Sequence, residues 1–185
     1  MTKNDNNDIN VEQNAVVDLK NVLEMAKSYD EIEKYTLSNG EDIEFYPHFS
    51  RTKIKEIIEE YKGYLISEDK DDMKFMDMVS KDDVSLVLFW YFLAVKKFTH
   101  FGESMKRIKK VKSLAPYYNA LLETGILEEI CNDAFAYEEL SKVTEMFAKE
   151  AAINVTANEF VNKYEDEIEV AREKFANTYL NKSED

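Results

Sequence analysis

Two histidines, His48 and His100, are the side chains best suited to acid–base or metal chemistry in this sequence. They lie far apart, and each precedes a phenylalanine. The patterns HExxH and Glu-x-x-His, which place metal ligands on one face of a helix, do not occur. We therefore interpret both histidines as surface or capping residues.

The one cysteine, Cys131, is a candidate nucleophile by residue type alone. Its neighbours Glu128, Glu129 and Asp133 are carboxylates, which raise a thiol pKa and suppress the reactive thiolate. A buried structural cysteine is the better interpretation. A single cysteine forms no internal disulfide and is typical of a reducing compartment.

The acidic stretch 68–72 begins like a calcium-binding loop, with Asp69, Asp71 and Asp72. The later positions do not fit, because Lys74 replaces the turn glycine and Ser80 replaces the bidentate glutamate. We expect a solvated acidic loop over 67–72, and cation binding there stays open. Four dispersed glycines form no phosphate loop. The sequence thus predicts no catalytic residue, no cofactor and no metal site.

Charge is unevenly distributed along a chain whose net charge is −14. Residues 96–112 carry seven basic and one acidic side chain (7 − 1 = +6), whereas 117–170 carry three basic and thirteen acidic ones (3 − 13 = −10). Either the two regions pair within the molecule, or they form a bipolar surface for a charged partner protein. The candidate interaction surface comprises Lys96, Lys97, Phe98, Phe101, Lys106, Arg107, Lys109, Lys110, Lys112, Tyr117 and Tyr118.

We call residues 96–112 the basic tract, and direct nucleic-acid binding by this tract is disfavoured. Its aromatic neighbours suit base stacking. However, the remaining chain is strongly acidic, and no helix-turn-helix or RNA-recognition pattern surrounds the tract.

The elements that position these residues are predicted to be mainly α-helical. Only four glycines and two prolines occur, which disfavours sandwiches, barrels and α/β folds. We expect a disordered arm at 1–10 and a single domain over 11–182, a compact bundle of about six to eight helices. Asn39-Gly40 between two short apolar stretches predicts a β-hairpin at about 33–46 with a type I′ turn.

Apolar residues at three- and four-residue steps predict the helices, and capping residues predict where they begin. The expected helices cover 11–27, 51–66 after Ser50, a short segment around Phe75, 81–99 after a Ser80/Asp83 capping box, 113–124, 126–133, 137–152 and 157–180. The most apolar run, 84–95, is shorter than the ~20 residues of a membrane span and predicts a central buried helix.

The helix predicted at 157–180 has the clearest pattern, with Val161, Tyr164, Ile168, Ala171 and Phe175 on one face. Packing on the core is the favoured interpretation, and a homo-oligomer formed through this helix is the alternative.

Four stretches resemble small acidic proteins encoded in tailed phages and prophages of low-GC Gram-positive bacteria. They are IEFYPHFS at 43–50, KIKEIIEEY at 53–61, FWYFLAVKKFT at 89–99 and LLETGILEEI at 121–130, and the resemblance covers about 43–148. It implies a virion-assembly or structural role, since tail-assembly chaperones are small, acidic and helical, and it transfers no functional residue.

The functional hypothesis is therefore a non-enzymatic interaction protein, most concretely a tail-assembly chaperone that binds an aggregation-prone tail protein. It would act in the host cytoplasm or be carried in the virion, and it would not bind a membrane. The alternative is an acidic inhibitor that mimics DNA and occupies the nucleic-acid site of a host protein. An enzyme with a scattered site is the third hypothesis.

Overall fold

The computed structural model describes residues 17–151. The arm predicted at 1–10, the start of the first predicted helix and the helix predicted at 157–180 lie outside this range. Within it, eight α-helices and one two-stranded antiparallel sheet confirm the mainly α fold. They are α1 (Leu19–Lys27), β1 (Glu33–Thr36), β2 (Asp42–Phe45), α2 (Arg51–Leu65), α3 (Lys70–Val79), α4 (Asp83–Phe98), α5 (Phe101–Met105), α6 (Ala115–Glu123), α7 (Ile126–Glu129) and α8 (137–151).

Helix α4 is the central element of the core, as its apolar sequence predicts. Phe89, Phe92 and Phe98 are fully buried, together with Ala94 and Val95. Helix α2 packs against it with Ile54, Ile57 and Ile58. Burial of each large apolar side chain contributes about 1.5–3 kcal/mol, so this interface is a principal source of stability.

The hairpin is present at the predicted position, but its turn differs from the prediction. Gly40 has a φ of 85°, and only glycines have a positive φ in the described range, so Asn39 does not. The Gly40 N–H donates to Leu37 O and the Leu37 N–H donates to Glu41 O, each at 2.8 Å. This is a three-residue loop with a left-handed glycine, not a type I′ turn. The Asn39 side chain stabilises it by accepting the Glu41 N–H at 2.9 Å.

The hairpin is joined to the helical body along the outer edge of β2. His100 N–H donates to Glu44 O and Tyr46 N–H donates to Phe98 O, both at 2.9 Å. On the other side, the Glu129 carboxylate accepts the Ser38 N–H at 2.6 Å. The hairpin is therefore held between the end of α4 and α7.

The structure confirms one of the predicted helix beginnings and contradicts two others. Ser50 caps α2 by accepting the Lys53 N–H, as predicted. The loop predicted at 67–72 is wrong beyond Asp69, because that side chain caps α3 and makes 70–72 helical. The Ser80/Asp83 capping box is also wrong: Asp82 caps α4 by accepting the Ser85 N–H, and Ser80 ends α3.

The later helices follow the prediction with small changes. Residues Val111–Leu114 form a 3-10 turn before α6. Gly125 follows the end of α6 and has a φ of 73°, in the left-handed region. The helix predicted at 126–133 is divided into α7 and a π-helical turn, Ile130–Ala134. Helix α8 begins at residue 137, as predicted, and continues to the end of the described range.

Candidate interaction surfaces

The basic tract begins at the end of α4, where two lysines pair with α2. Lys96 Nζ lies against the Glu60 carboxylate, and Lys97 Nζ lies against that of Glu56. The Lys96 side chain is only 12% exposed. The Tyr64 hydroxyl also donates to Glu60, and burial, with Glu60 as its acceptor, raises the pKa of Tyr64. Lys96 and Lys97 therefore form ion pairs between α4 and α2, the first of them at a mostly buried lysine.

The end of the basic tract pairs with the beginning of α3. Lys110 Nζ lies 2.6 Å from Asp69 Oδ2, and Lys112 Nζ contacts Asp71. The hydrogen bond from Lys110, with the backbone N–H groups of Asp71 and Asp72, lowers the pKa of Asp69 to about 2. Within residues 17–151, charge pairing thus joins the basic tract to α2 and α3, and no ion pair joins it to residues 117–151.

The remaining members of the candidate interaction surface are divided between surface and core, and Phe101 is half-buried on α5. Lys106, Arg107 and Lys109 are exposed on the link after α5, and Tyr117 is exposed on α6. Phe98 and Tyr118 are buried, so their predicted place on a surface is wrong. The helical spacing of Phe98 after Phe92 and Val95 is the sequence signal that indicates a core position.

A groove of about 880 Å³ runs between the hairpin, α2 and the end of α4. Lys53, Lys96 and Lys97 line it, but so do Glu56 and Glu60. Because its walls carry both lysines and carboxylates, the groove favours no ligand of a single charge sign.

Both histidines are exposed, and each has its own partner. His100 Nδ1 accepts the Glu44 N–H at 3.1 Å, so this ring caps the sheet edge. His48 Nδ1 lies 3.7 Å from Glu139, a buried carboxylate that accepts the Phe49 N–H at 2.9 Å. These contacts link the start of α2 to α8.

Cys131 is buried, as predicted, and burial raises the pKa of its thiol to about 12. Such a thiol is almost entirely protonated near neutral pH and is a poor nucleophile.

Over residues 17–151, no cluster of three or more histidine, cysteine or carboxylate side chains has the geometry to hold a metal ion. The helices in that range are all too short or too polar to cross a membrane.

An exposed apolar surface on α1 is the feature that sequence reasoning missed. Seven of the fourteen large apolar side chains exposed in the described range lie within residues 17–32, so exposure is concentrated in one segment. They are Val17, Leu19, Val22, Leu23, Met25, Tyr29 and Ile32. The prediction of one helix over 11–27 is wrong at residues 17 and 18, because Asp18 caps α1 by accepting the Lys20 N–H and the helix begins at Leu19. The pattern also could not predict the exposure, since an apolar stripe looks the same whether it faces a core or a partner.

We call Leu19, Val22, Leu23 and Ala26 the α1 surface, since their spacing places them on one helix face. Leu19 is 72% exposed and Leu23 is 62% exposed. No residue of α1 is buried. Exposed apolar side chains on one helix face make this surface a candidate site of interaction.

The fold and these surfaces define a small, mainly α-helical protein with a β-hairpin and an exposed amphipathic helix. The YomO family model matches residues 18–184, so the chain belongs to the YomO family, which is associated with phages and prophages. The resemblance to phage proteins is confirmed at this level. No curated protein and no solved structure shows significant similarity to the chain.

Proposed function

We propose that this protein is a non-enzymatic phage assembly factor, most concretely a tail-assembly chaperone that binds an apolar segment of a tail protein. The observation that carries the proposal is the α1 surface, whose apolar side chains are all exposed in the described structure. The phage-associated family supports the biological setting.

The size of the α1 surface suits a reversible chaperone. Leu19, Val22 and Leu23 are 72%, 42% and 62% exposed, so burying their remaining accessible surface would contribute about 0.6–2 kcal/mol each. Association costs about 4–15 kcal/mol in lost freedom of motion. The surface by itself therefore supports weak binding, which permits release of the client during assembly.

The shape of the α1 surface favours a helical client. Its residues follow the three- and four-residue steps that receive the apolar face of an amphipathic helix. The net charge of −14 would keep a complex with an aggregation-prone client dispersed by repulsion between complexes.

The test is co-expression with the tail tube or tape-measure protein of the same phage, followed by size-exclusion chromatography. We expect co-elution with the wild-type chain and its loss in the double variant Leu19→Asp/Leu23→Asp. The matched control is Val84→Asp/Ile66→Asp, which changes two apolar residues that are 69% and 81% exposed elsewhere. Equal co-elution of all three proteins, or of none, would contradict the proposal.

The acidic inhibitor is the second candidate, and one observation favours it. Five carboxylates from the end of α6 to α8 are exposed and make no ion pair within residues 17–151: Glu123, Glu128, Asp133, Glu138 and Glu145. A run of exposed carboxylates presents charge to a basic DNA-binding cleft. Competition with DNA for a host DNA-binding enzyme should then weaken steeply with salt. Salt-insensitive competition, or no competition, would exclude this candidate.

A further inference from the structure

We propose that α1 pairs with the α1 helix of a second copy of this chain, antiparallel and about a two-fold axis, so that the two α1 surfaces cover each other. This pairing involves the chain alone, without a client, and does not rest on the proposed function. Three features of α1 carry it: its exposure, the order of its apolar side chains and the order of its charges.

The exposure of α1 indicates that this helix depends on a partner. All nine of its residues are exposed, including Asn21 on the face opposite the α1 surface. Asp18 caps the helix by accepting the Lys20 N–H at 3.0 Å. A cap alone does not stabilise so short a helix, because isolated helices of fewer than about 12–15 residues are marginal in water. The helix therefore gains stability when its apolar face is covered.

The apolar side chains of α1 fit those of a second copy in antiparallel order. The α1 surface covers residues 19–26, so a two-fold axis at its centre passes between Val22 and Leu23. Helix geometry then places Leu19 level with Ala26 of the second copy, and Leu23 level with its Val22. Each leucine thus lies opposite a smaller side chain, the arrangement in which packed surfaces interdigitate.

The charges of α1 favour the same orientation. Lys20 and Glu24 lie about 100° and 140° around the helix from Leu19, on one flank of the α1 surface. An antiparallel two-fold pair brings this flank of both helices together, and Lys20 comes level with Glu24 of the second copy to within about 1.5 Å along the axis. This contact occurs twice, whereas a parallel pair would place Lys20 beside Lys20. Glu24 also pairs with Lys27 of its own helix at 2.9 Å, so its carboxylate would lie between lysines of both copies.

The size of α1 predicts a weak dimer. Its nine residues span about 13 Å, whereas a stable interface uses about 20–30 residues from each partner. We therefore expect dimers that dissociate on dilution, with a dissociation constant on the order of 100 µM. Such a contact covers the α1 surface in concentrated protein and leaves it open in dilute protein.

Sedimentation velocity of the full chain without a client tests the pairing. Between about 5 µM and about 1 mM, the wild type should pass from monomer towards dimer by mass action. Leu19→Asp/Leu23→Asp should stay monomeric, because it places two carboxylates from each copy in the contact. The control Val84→Asp/Ile66→Asp should dimerise like the wild type, since both changes lie outside α1. A wild type that is monomeric throughout, or a dimer that survives Leu19→Asp/Leu23→Asp, would overturn the proposal.

Charge variants of Lys20 and Glu24 test the contact between copies independently. Lys20→Glu alone and Glu24→Lys alone each place like charges opposite one another, so each should dimerise at least threefold more weakly than the wild type. An equimolar mixture of the two variants should recover the wild-type affinity, because opposite charges meet again at both positions. Each chain has the same α1 alone and in the mixture, so recovery reports contact between copies and not helix stability. A mixture that associates no better than its components would contradict the pairing.

Disulfide cross-linking tests the orientation. Mild oxidation of Val22→Cys should give a linked dimer, because the two copies of residue 22 lie about 1.5 Å apart along the axis. Ala26→Cys should give at least fivefold less, because its two copies lie about 10 Å apart. Cys131 can be retained because it is buried. Equal yields from the two variants would exclude the antiparallel pair.

Dimer formation and client binding fail separately. If the client co-elutes with the wild type but the chain alone stays monomeric at every concentration, the pairing is wrong and the proposed function stands. If the chain dimerises through α1 but binds no client, the function fails and the pairing stands.

Discussion

At the residue scale, Gly102 is the most closely packed of the four glycines, at the point where α5 meets the end of α4. A Cβ built at Gly102 would overlap the carbonyl oxygen of Lys96, which is backbone and cannot rotate away. We expect Gly102→Ala to lower the free energy of unfolding by about 1–3 kcal/mol, the usual cost of overpacking. Urea unfolding measures the change. In Gly63→Ala, the added Cβ meets no atom within 4 Å. That control should be neutral or stabilising by up to about 1 kcal/mol, and equal losses in both variants would contradict the argument.

The lysines of the basic tract have different structural roles. Lys96→Met would leave Glu60 without its cation at a partly buried site between α2 and α4. We expect a loss of about 1–3 kcal/mol in unfolding free energy. Lys106→Met changes a lysine whose side chain is 72% exposed, and its effect should stay within about 0.5 kcal/mol. Chemical denaturation of both variants measures the contrast, and matching losses would show that exposure does not distinguish the two lysines.

At the element scale, the beginning of α3 couples folding to pH. The pKa of Asp69 is about 2 in the folded chain, against an ordinary 3.8, because Lys110 and two backbone N–H groups bind its ionised form. A lowered pKa stabilises the folded chain fully above about pH 4, and this stabilisation is lost as the pH falls towards 2. Asp69→Asn keeps a capping side chain but removes the charge. The difference in Tm between the wild type and this variant should therefore shrink between pH 5 and pH 2.5.

Lys110→Met provides the reciprocal control for this pH effect. It removes the partner of Asp69, so its own Tm difference from the wild type should shrink over the same pH range. The double variant should add little to either single change, because both remove one interaction. A Tm difference that is constant with pH would show that the pair does not couple to folding.

At the scale of the whole molecule, the core and the α1 surface should respond differently to substitution. Phe92 is fully buried in α4, so Phe92→Ala should cost about 3–5 kcal/mol of unfolding free energy. Leu19→Asp/Leu23→Asp in α1 replaces exposed residues and should change the unfolding free energy by no more than about 1 kcal/mol. Thermal and urea unfolding of both variants measures this. A large loss in the α1 variant would show that its surface is part of the fold and would remove the basis of the proposed function.

Much of the helical architecture was determined by the sequence alone. The apolar run at 84–95 identifies the central helix because only the core can accept such a helix on nearly every side. Ser50 identifies the beginning of α2, and Asn39-Gly40 identifies the hairpin, because these residues act through bonds to near neighbours. Local chemistry of this kind is present in the linear pattern. Where two local partners compete, as Ser80 and Asp82 do before α4, the pattern does not choose between them.

Only the tertiary structure decided which charges and apolar faces remain available. Lys96 and Lys97 pair with α2, and Lys110 pairs with Asp69, across about forty residues of sequence. Phe98 is buried although it lies among lysines, and Leu23 is exposed although its pattern matches that of a core helix. Sequence periodicity indicates that a helix face is apolar. It does not indicate what that face packs against, because packing between elements distant in sequence determines the partner.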